Sequence, residues 1–323
     1  MKKYIDTGDR FYVAGHKGMA GSAICRSLKN NKYKNIIKVD RKELDLCDKE
    51  SVHKWFNNNK PDIAVIAAAR VGGIVANNSY PTEFLLDNMK IQNNIIEAAW
   101  KNKVKRILFL GSSCIYPKFC KQPMVEEDLL SGSLEQTNEW YALAKITGIK
   151  LCDALRKQYG FDAICLMPTN LYGIGDNYHK KDSHVIPGLI RRFHEAVLRK
   201  EKSVKCWGSG SPFREFLYVE DLGNACVFAL ENWKPKLNEL NFLNVGSGNE
   251  ISIKNLAQKI SKVCGFSGEI LWDTTKPNGT PRKLLDVSKF TEIGWKATTD
   301  LDTGLKKSYE SFLDDIKNNK LRQ

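Results

Sequence analysis

A short apolar run, Arg10-Phe11-Tyr12-Val13-Ala14, leads directly into Gly15-His16-Lys17-Gly18-Met19-Ala20-Gly21, and a helical pattern follows from Ser22 to Leu28. Few arrangements restrict a fold more. The apolar run reads as a buried strand. The glycines allow a tight turn whose backbone can approach a pyrophosphate, and the N-terminus of the next helix favours negative charge. The spacing is GxxGxxG rather than GxGxxG. In its strand-to-helix context it points to dinucleotide binding rather than to a purely structural turn.

The same alternation recurs downstream. Ile36 to Val39 reads as a second strand ending in Asp40-Arg41. An acidic residue there suits a ribose 2′-hydroxyl and a basic one a 2′-phosphate. With Asp40, Arg41 and Lys17 all close, NADP(H) and NAD(H) both stay open at this point. Asp62 to Ala69 reads as a third strand running into small residues, which leave room for a flat cofactor, and Val71-Gly72-Gly73 follows. Pro81 to Lys101 has the apolar period of a helix, through Phe84, Leu85, Ile91, Ile95 and Ile96. Arg106 to Leu110 is a fourth strand. Its carboxyl end, Gly111-Ser112-Ser113-Cys114-Ile115-Tyr116-Pro117, lies where a doubly wound sheet binds ligands. Phe161 to Met167 is a fifth strand.

This order predicts an α/β fold, a doubly wound parallel sheet of Rossmann type with helices on both faces. A dinucleotide-binding domain is expected over 1–172, with segments near 216–246 returning to it, and a smaller α/β substrate domain over 173–323. Past Pro168 the pattern loosens. Ile186 to Lys200 reads as a helix started by Pro187, Trp207 to Phe216 as a turn and strand, and Val219 as the start of another helix. Lys276 to Lys283 reads as a loop.

Between the fourth and fifth strands, Asn138-Glu139-Trp140-Tyr141-Ala142-Leu143-Ala144-Lys145 reads as a helix start. Tyr141 and Lys145 are four residues apart and so share one helix face. A lysine held there is expected to lower the tyrosine's pKa and make it an acid or base near neutral pH. Alone, the pair fits a surface helix equally well.

Composition narrows the classes. The net charge is +13, but no dense basic stripe or nucleic-acid module accompanies it. A few cations serve a small anionic ligand instead. Nine cysteines fall without CxxC or metal-ligand spacing, which suggests reduced thiols in a cytoplasmic protein and no metal site. The N-terminus lacks the apolar core of a signal peptide, and no apolar run reaches membrane-spanning length.

Gly15, Gly18 and Gly21, Ser112 after the fourth strand, and Tyr141 with Lys145 together resemble the extended short-chain dehydrogenase/reductase family. The stretches AGHKGMAGSAI, ARVGGIVANN, LGSSCIYPK, NEWYALAK, MPTNLYG, SHVIPGLIRRFHEA, WGSGSPFREFL and KPNGTPRKLLD carry the resemblance across nearly the whole chain. They are most similar to its NADPH-dependent epimerase-reductases of GDP-4-keto-6-deoxy sugars. The resemblance implies that Tyr141 gives a proton to the reduced ketone oxygen. It makes Lys145 the partner of that tyrosine and of the nicotinamide ribose, and Ser112 the donor that orients the carbonyl. It implies Cys114 as base and His184 as acid for inversion at C3 and C5, next to a ketone that acidifies both positions. By residue type alone, Cys114 is also a small buried thiol and His184 a loop histidine. Gly15 to Gly21, Arg41, Pro168, Thr169, Asn170, Leu171 and His184 would line the cofactor. Arg192, Trp207, Arg214 and Asn278 would hold the GDP-sugar, and a homodimer is implied. Two positions depart from the pattern. Asp40 stands where relatives carry a neutral residue, and Asn278 where they often carry aspartate. The second departure leaves a hexose and a heptose substrate both open.

Overall fold

In the computed structural model, residues 3–180, 182–276 and 278–322 are described. Pro277 of the 276–283 loop lies outside the described residues, as do Met1, Lys2, Lys181 and Gln323 and the side chains of Ile74 and Val75. The first half of the chain runs β1 (Phe11–Ala14), α1 (Met19–Asn30), β2 (Ile36–Ile37), α2 (Lys49–Asn59), β3 (Ile63–Ile66), α3 (Ile74–Ser79), α4 (Pro81–Lys101), β4 (Arg106–Leu110), α5 (Glu139–Tyr159) and β5 (Ala163–Pro168). The second runs β6 (Asn170–Tyr172), α6 (Val185–Leu198), β7 (Ser203–Trp207), β8 (Phe213–Tyr218), α7 (Val219–Asn232), β9 (Phe242–Val245), β10 (Glu250–Ser252), α8 (Ile253–Val263), β11 (Glu269–Asp273), β12 (Arg282–Lys283), α9 (Ser288–Glu292) and α10 (Leu301–Lys317).

Among the described residues a six-stranded sheet has the order β2-β1-β3-β4-β5-β9, and every neighbouring pair is parallel. The doubly wound architecture expected from the alternation is therefore present. Strands β1, β3, β4 and β5 are buried along their whole length, as befits a sheet covered on both faces. One apolar cluster, with Phe56, Ile95, Phe109 and Ile149, fills one face. Another, with Ile24, Leu108, Leu222 and Leu230, fills the other.

Boundaries differ from the sequence expectation in instructive ways. β2 is two residues long, since Lys38 onward has no sheet partner. α1 begins at Met19 rather than Ser22, immediately after its glycine N-cap. α6 includes Pro187 in its first turn, where a missing backbone N–H breaks no helical bond.

The chain leaves the large sheet at Pro168 and enters a smaller one. There β8 pairs with β10 and β12, and β6 also pairs with β8. Helices α6, α8 and α10 pack against this layer over a core that contains Phe193, Phe216, Leu256, Ile260 and Phe312. The cleft lies between the carboxyl ends of the large sheet and the β8 layer.

Gly148 decides where α5 sits over that cleft. A Cβ at this position would stand 2.6 Å from Phe109 Cζ and 3.0 Å from Gln92 Cδ. The missing side chain lets α5 settle on β4, and Gln92 of α4 donates to the Ala144 carbonyl at 2.5 Å. That contact brings the first turns of α5, with Tyr141 and Lys145, over the end of β4.

Candidate active site

The loop after β1 forms a cradle with no room for side chains. Gly15 has φ +81°, and a Cβ there would lie 2.8 Å from Ala68 Cα. A Cβ at Gly21 would lie 2.2 Å from the Gly15 carbonyl oxygen. α1 then starts without a side-chain cap and without an acidic residue in its first turn. The amides of Met19, Ala20 and Gly21 consequently face outward with no intrahelical acceptor. A dinucleotide pyrophosphate fits this donor set, so the residues present suit the cofactor. At the rim, Lys17 Nζ lies 2.6 Å from the Asp40 carboxylate and His16 Nε2 3.3 Å from it. Arg41 is exposed beside them. At the far end Thr169 is buried, and the Asn170 side chain donates to the Glu215 carbonyl at 2.8 Å. These two sit in the Pro168–Leu171 segment between β5 and β6.

Ser112 caps a short 3-10 turn over Ser113–Ile115, and its Oγ accepts from the Cys114 amide at 3.2 Å. Lys145 is only 3% exposed. Its ammonium donates to the Leu110 carbonyl at 2.8 Å, 4.7 Å from the Phe109 ring centre and 5.7 Å from that of Tyr141. Burial lowers its pKa to about 7. Burial also drives the Tyr141 phenol upward, reinforced by Cys114 and opposed by a hydrogen bond with Ser112. The sequence led us to expect the opposite shift for Tyr141. The reason for the difference is physical: Lys145 is engaged with a backbone carbonyl, and desolvation of the phenolate outweighs its attraction. A phenol that stays neutral at physiological pH is the form a proton donor requires.

Two donors from distant parts of the chain converge on Cys114. Asn138 Nδ2 lies 3.5 Å from the sulfur and Lys283 Nζ 3.4 Å. They border a small cleft that Glu135 and Thr280 also line. His184 is the N-cap of α6 and retains solvent contact. Desolvation of its ring, followed by the Lys283 charge, lowers its pKa below the ordinary value of 6.5.

Arg192, Trp207 and Asn278 form a second group. The Arg192 guanidinium lies 5.7 Å from the Trp207 ring centre and donates to the Lys205 carbonyl at 2.7 Å. Asn278 Oδ1 accepts from the Ser209 amide at 2.8 Å and from its hydroxyl at 3.1 Å. Arg214 pairs in register with Lys283 across β8 and β12, and burial lowers its pKa against the opposing influence of Cys114 and Glu135. Arg41 stands apart from both groups, next to Asp40.

Sequence reasoning missed three residues here. Lys283 lies in a loop already singled out, but nothing local says that it returns to a cysteine 169 positions earlier. Asn138 looked like a helix start only. Glu215, fully buried, accepts from the Gly248 amide at 2.7 Å and the Leu285 amide at 3.0 Å. A charged residue framed by Phe213, Phe216 and Leu217 in a strand was the available signal.

Residues 11–246 match the model of the NAD dependent epimerase/dehydratase family. The chain belongs to this family. It is 50% identical over 313 residues to GDP-L-fucose synthase 1 of Arabidopsis thaliana, covering 97% of this chain and 96% of the plant protein. It is likewise 50% identical over 313 residues to the GDP-L-fucose synthase of Escherichia coli strain K12, covering 94% and 97%. Among solved structures, a GDP-6-OMe-4-keto-L-xylo-heptose reductase from C. jejuni superimposes with TM-score 0.90 at 32% identity over 96% of this chain and 99% of that one. A GDP-L-fucose synthetase from Naegleria fowleri bound to NADP gives 0.88 at 25% identity over 99% and 98%.

Proposed function

We propose that this family member reduces the C4 ketone of a GDP-4-keto-6-deoxy-hexose with NADPH and inverts C3 and C5, giving GDP-L-fucose or a close relative. The observation that carries this reading is the chain of neighbours Lys283, Cys114, Ser112, Tyr141 and Lys145, in a chain half identical to the fucose synthases over nearly its full length.

When bound, the cofactor supplies a hydride to C4. The protein's part is to hold and move protons. Tyr141, kept neutral by burial, donates to the developing C4 alkoxide, and the Lys145 ammonium stabilises the phenolate left behind. Ser112 donates to the carbonyl oxygen and orients it. For epimerisation the ketone makes the C3 and C5 protons acidic. Cys114 removes one, held in place by Asn138 and Lys283, and His184 returns one from the opposite face. Arg192 and Arg214 pair with the diphosphate, and Trp207 gives a flat apolar surface. We place the chain in the cytoplasm as a homodimer; exposed Tyr80, Leu86 and Trp140 near the starts of α4 and α5 support a covered face there.

Tyr141→Phe should lower NADPH oxidation with a GDP-4-keto-6-deoxy sugar by about 10²–10⁴-fold; an unchanged rate rejects the assignment. Solvent deuterium should enter the product at C3 and C5 and cease to do so in Cys114→Ser. A second reading, C4 reduction of a GDP-4-keto-6-deoxy-heptose with or without epimerisation, draws on Asn278 and on the likeness to the C. jejuni heptose reductase. Product NMR from both substrates separates the two.

A further inference from the structure

The end of β2 holds a charge arrangement that the proposed reaction does not use. β2 pairs with β1 in parallel, Phe11 opposite Ile36 and Tyr12 opposite Ile37, so the segments leaving both strands emerge at one edge of the sheet. The first is the glycine cradle; the second carries Asp40. There Lys17 Nζ donates to Asp40 Oδ2 at 2.6 Å, and His16 Nε2 lies 3.3 Å from Oδ1. Lys17 is the exposed member, at 72% against 39% for Asp40, while His16 is 11% exposed.

In this fold the second strand's end meets the adenosine ribose. A carboxylate there accepts from the ribose 2′- and 3′-hydroxyls. It repels a 2′-phosphate, which a free lysine or arginine would attract. Asp40 has both effects at once, for it brings a negative charge to the ribose and also occupies Lys17. Arg41, next to Asp40, is exposed. We propose that Asp40 is a specificity-determining residue: by sequestering Lys17 it restrains the preference for NADPH and keeps NADH usable by the same cradle. A phosphorylated ribose must draw Lys17 away from Asp40, whereas an unphosphorylated one leaves the pair intact and gains the carboxylate as acceptor.

This inference rests on the cofactor reading above, and the experiment separates the two. Dissociation constants for NADPH and NADH are measured by cofactor fluorescence on the full chain, for wild type, Asp40→Ser and the isosteric Asp40→Asn. An exposed ion pair of this kind is worth up to about fivefold in an equilibrium constant. NADPH should therefore bind about fivefold tighter in both variants, while NADH binds no tighter or weaker. Lys17→Met should cost little NADPH affinity in wild type and should abolish the gain in Asp40→Ser. A ratio of the two constants that stays within twofold of wild type in both variants overturns the assignment of Asp40. So does an equal effect of Lys17→Met in both backgrounds. Absence of binding by either nucleotide to wild type would overturn the cofactor reading itself.

Discussion

Lys145 and Tyr141 depart from their ordinary ionisation in opposite senses for one reason, the removal of water from both. For Lys145 this has a consequence for stability. Between about pH 7 and its ordinary value of 10.5 the unfolded chain binds a proton that the folded protein does not, so stability rises with pH across that window. Below about 7 the fold carries a charged amine in a dry setting. Urea unfolding from pH 6 to 9 should reveal this slope, and Lys145→Met should flatten it by about one proton's worth. His184 gives a kinetic counterpart. With a pKa below 6.5 its protonated fraction falls tenfold per pH unit above that point. Deuterium incorporation that depends on His184 as acid should decline as pH rises from 6 to 8. Incorporation that stays level from pH 6 to 8 would separate His184 from the epimerisation step.

α5 is positioned by what Gly148 lacks. Alanine there gains about 1 kcal/mol of helix propensity. Its Cβ would nevertheless meet Phe109 at 2.6 Å and Gln92 at 3.0 Å, and overpacking of this kind costs about 1–3 kcal/mol. The clash should win, so Gly148→Ala should lower stability by up to about 2 kcal/mol. It should also reduce NADPH oxidation more than it weakens cofactor binding, since the helix start carrying Tyr141 and Lys145 is what moves. Denaturant unfolding and steady-state kinetics on one preparation test both parts. An equal loss of binding and turnover would instead place the strain in the cradle.

Glu215 joins the two layers of the molecule. Its carboxylate accepts from Gly248 and Leu285, and its carbonyl accepts from Asn170 and, at 3.3 Å, from Thr169. Leu285 stands two residues beyond Lys283, so Glu215, through its carboxylate and its carbonyl, ties the stretch that reaches Cys114 to the exit of β5 at Thr169 and Asn170. Glu215→Gln keeps one acceptor but turns an NH₂ toward a backbone N–H, which should cost about 1–3 kcal/mol. Saturation by the GDP-sugar should weaken more than NADPH binding does. A loss confined to NADPH affinity would contradict the bridging role.

The sequence alone determined the α/β alternation, the glycine cradle and the pairing of Tyr141 with Lys145. These depend on local periodicity, turn chemistry and spacing of a few residues, which the chain states directly. It also determined the fourth strand, whose end carries Ser112. What only the tertiary structure decided is how distant segments meet. Lys283 reaches Cys114, Glu215 clasps two loops, and Lys17 turns to Asp40. The direction of the Tyr141 shift belongs with these, because spacing placed a lysine nearby but could not say that it would donate its hydrogen bond to the Leu110 carbonyl. Burial sets an ionisation through every atom packed around the group, and that packing comes from the fold as a whole.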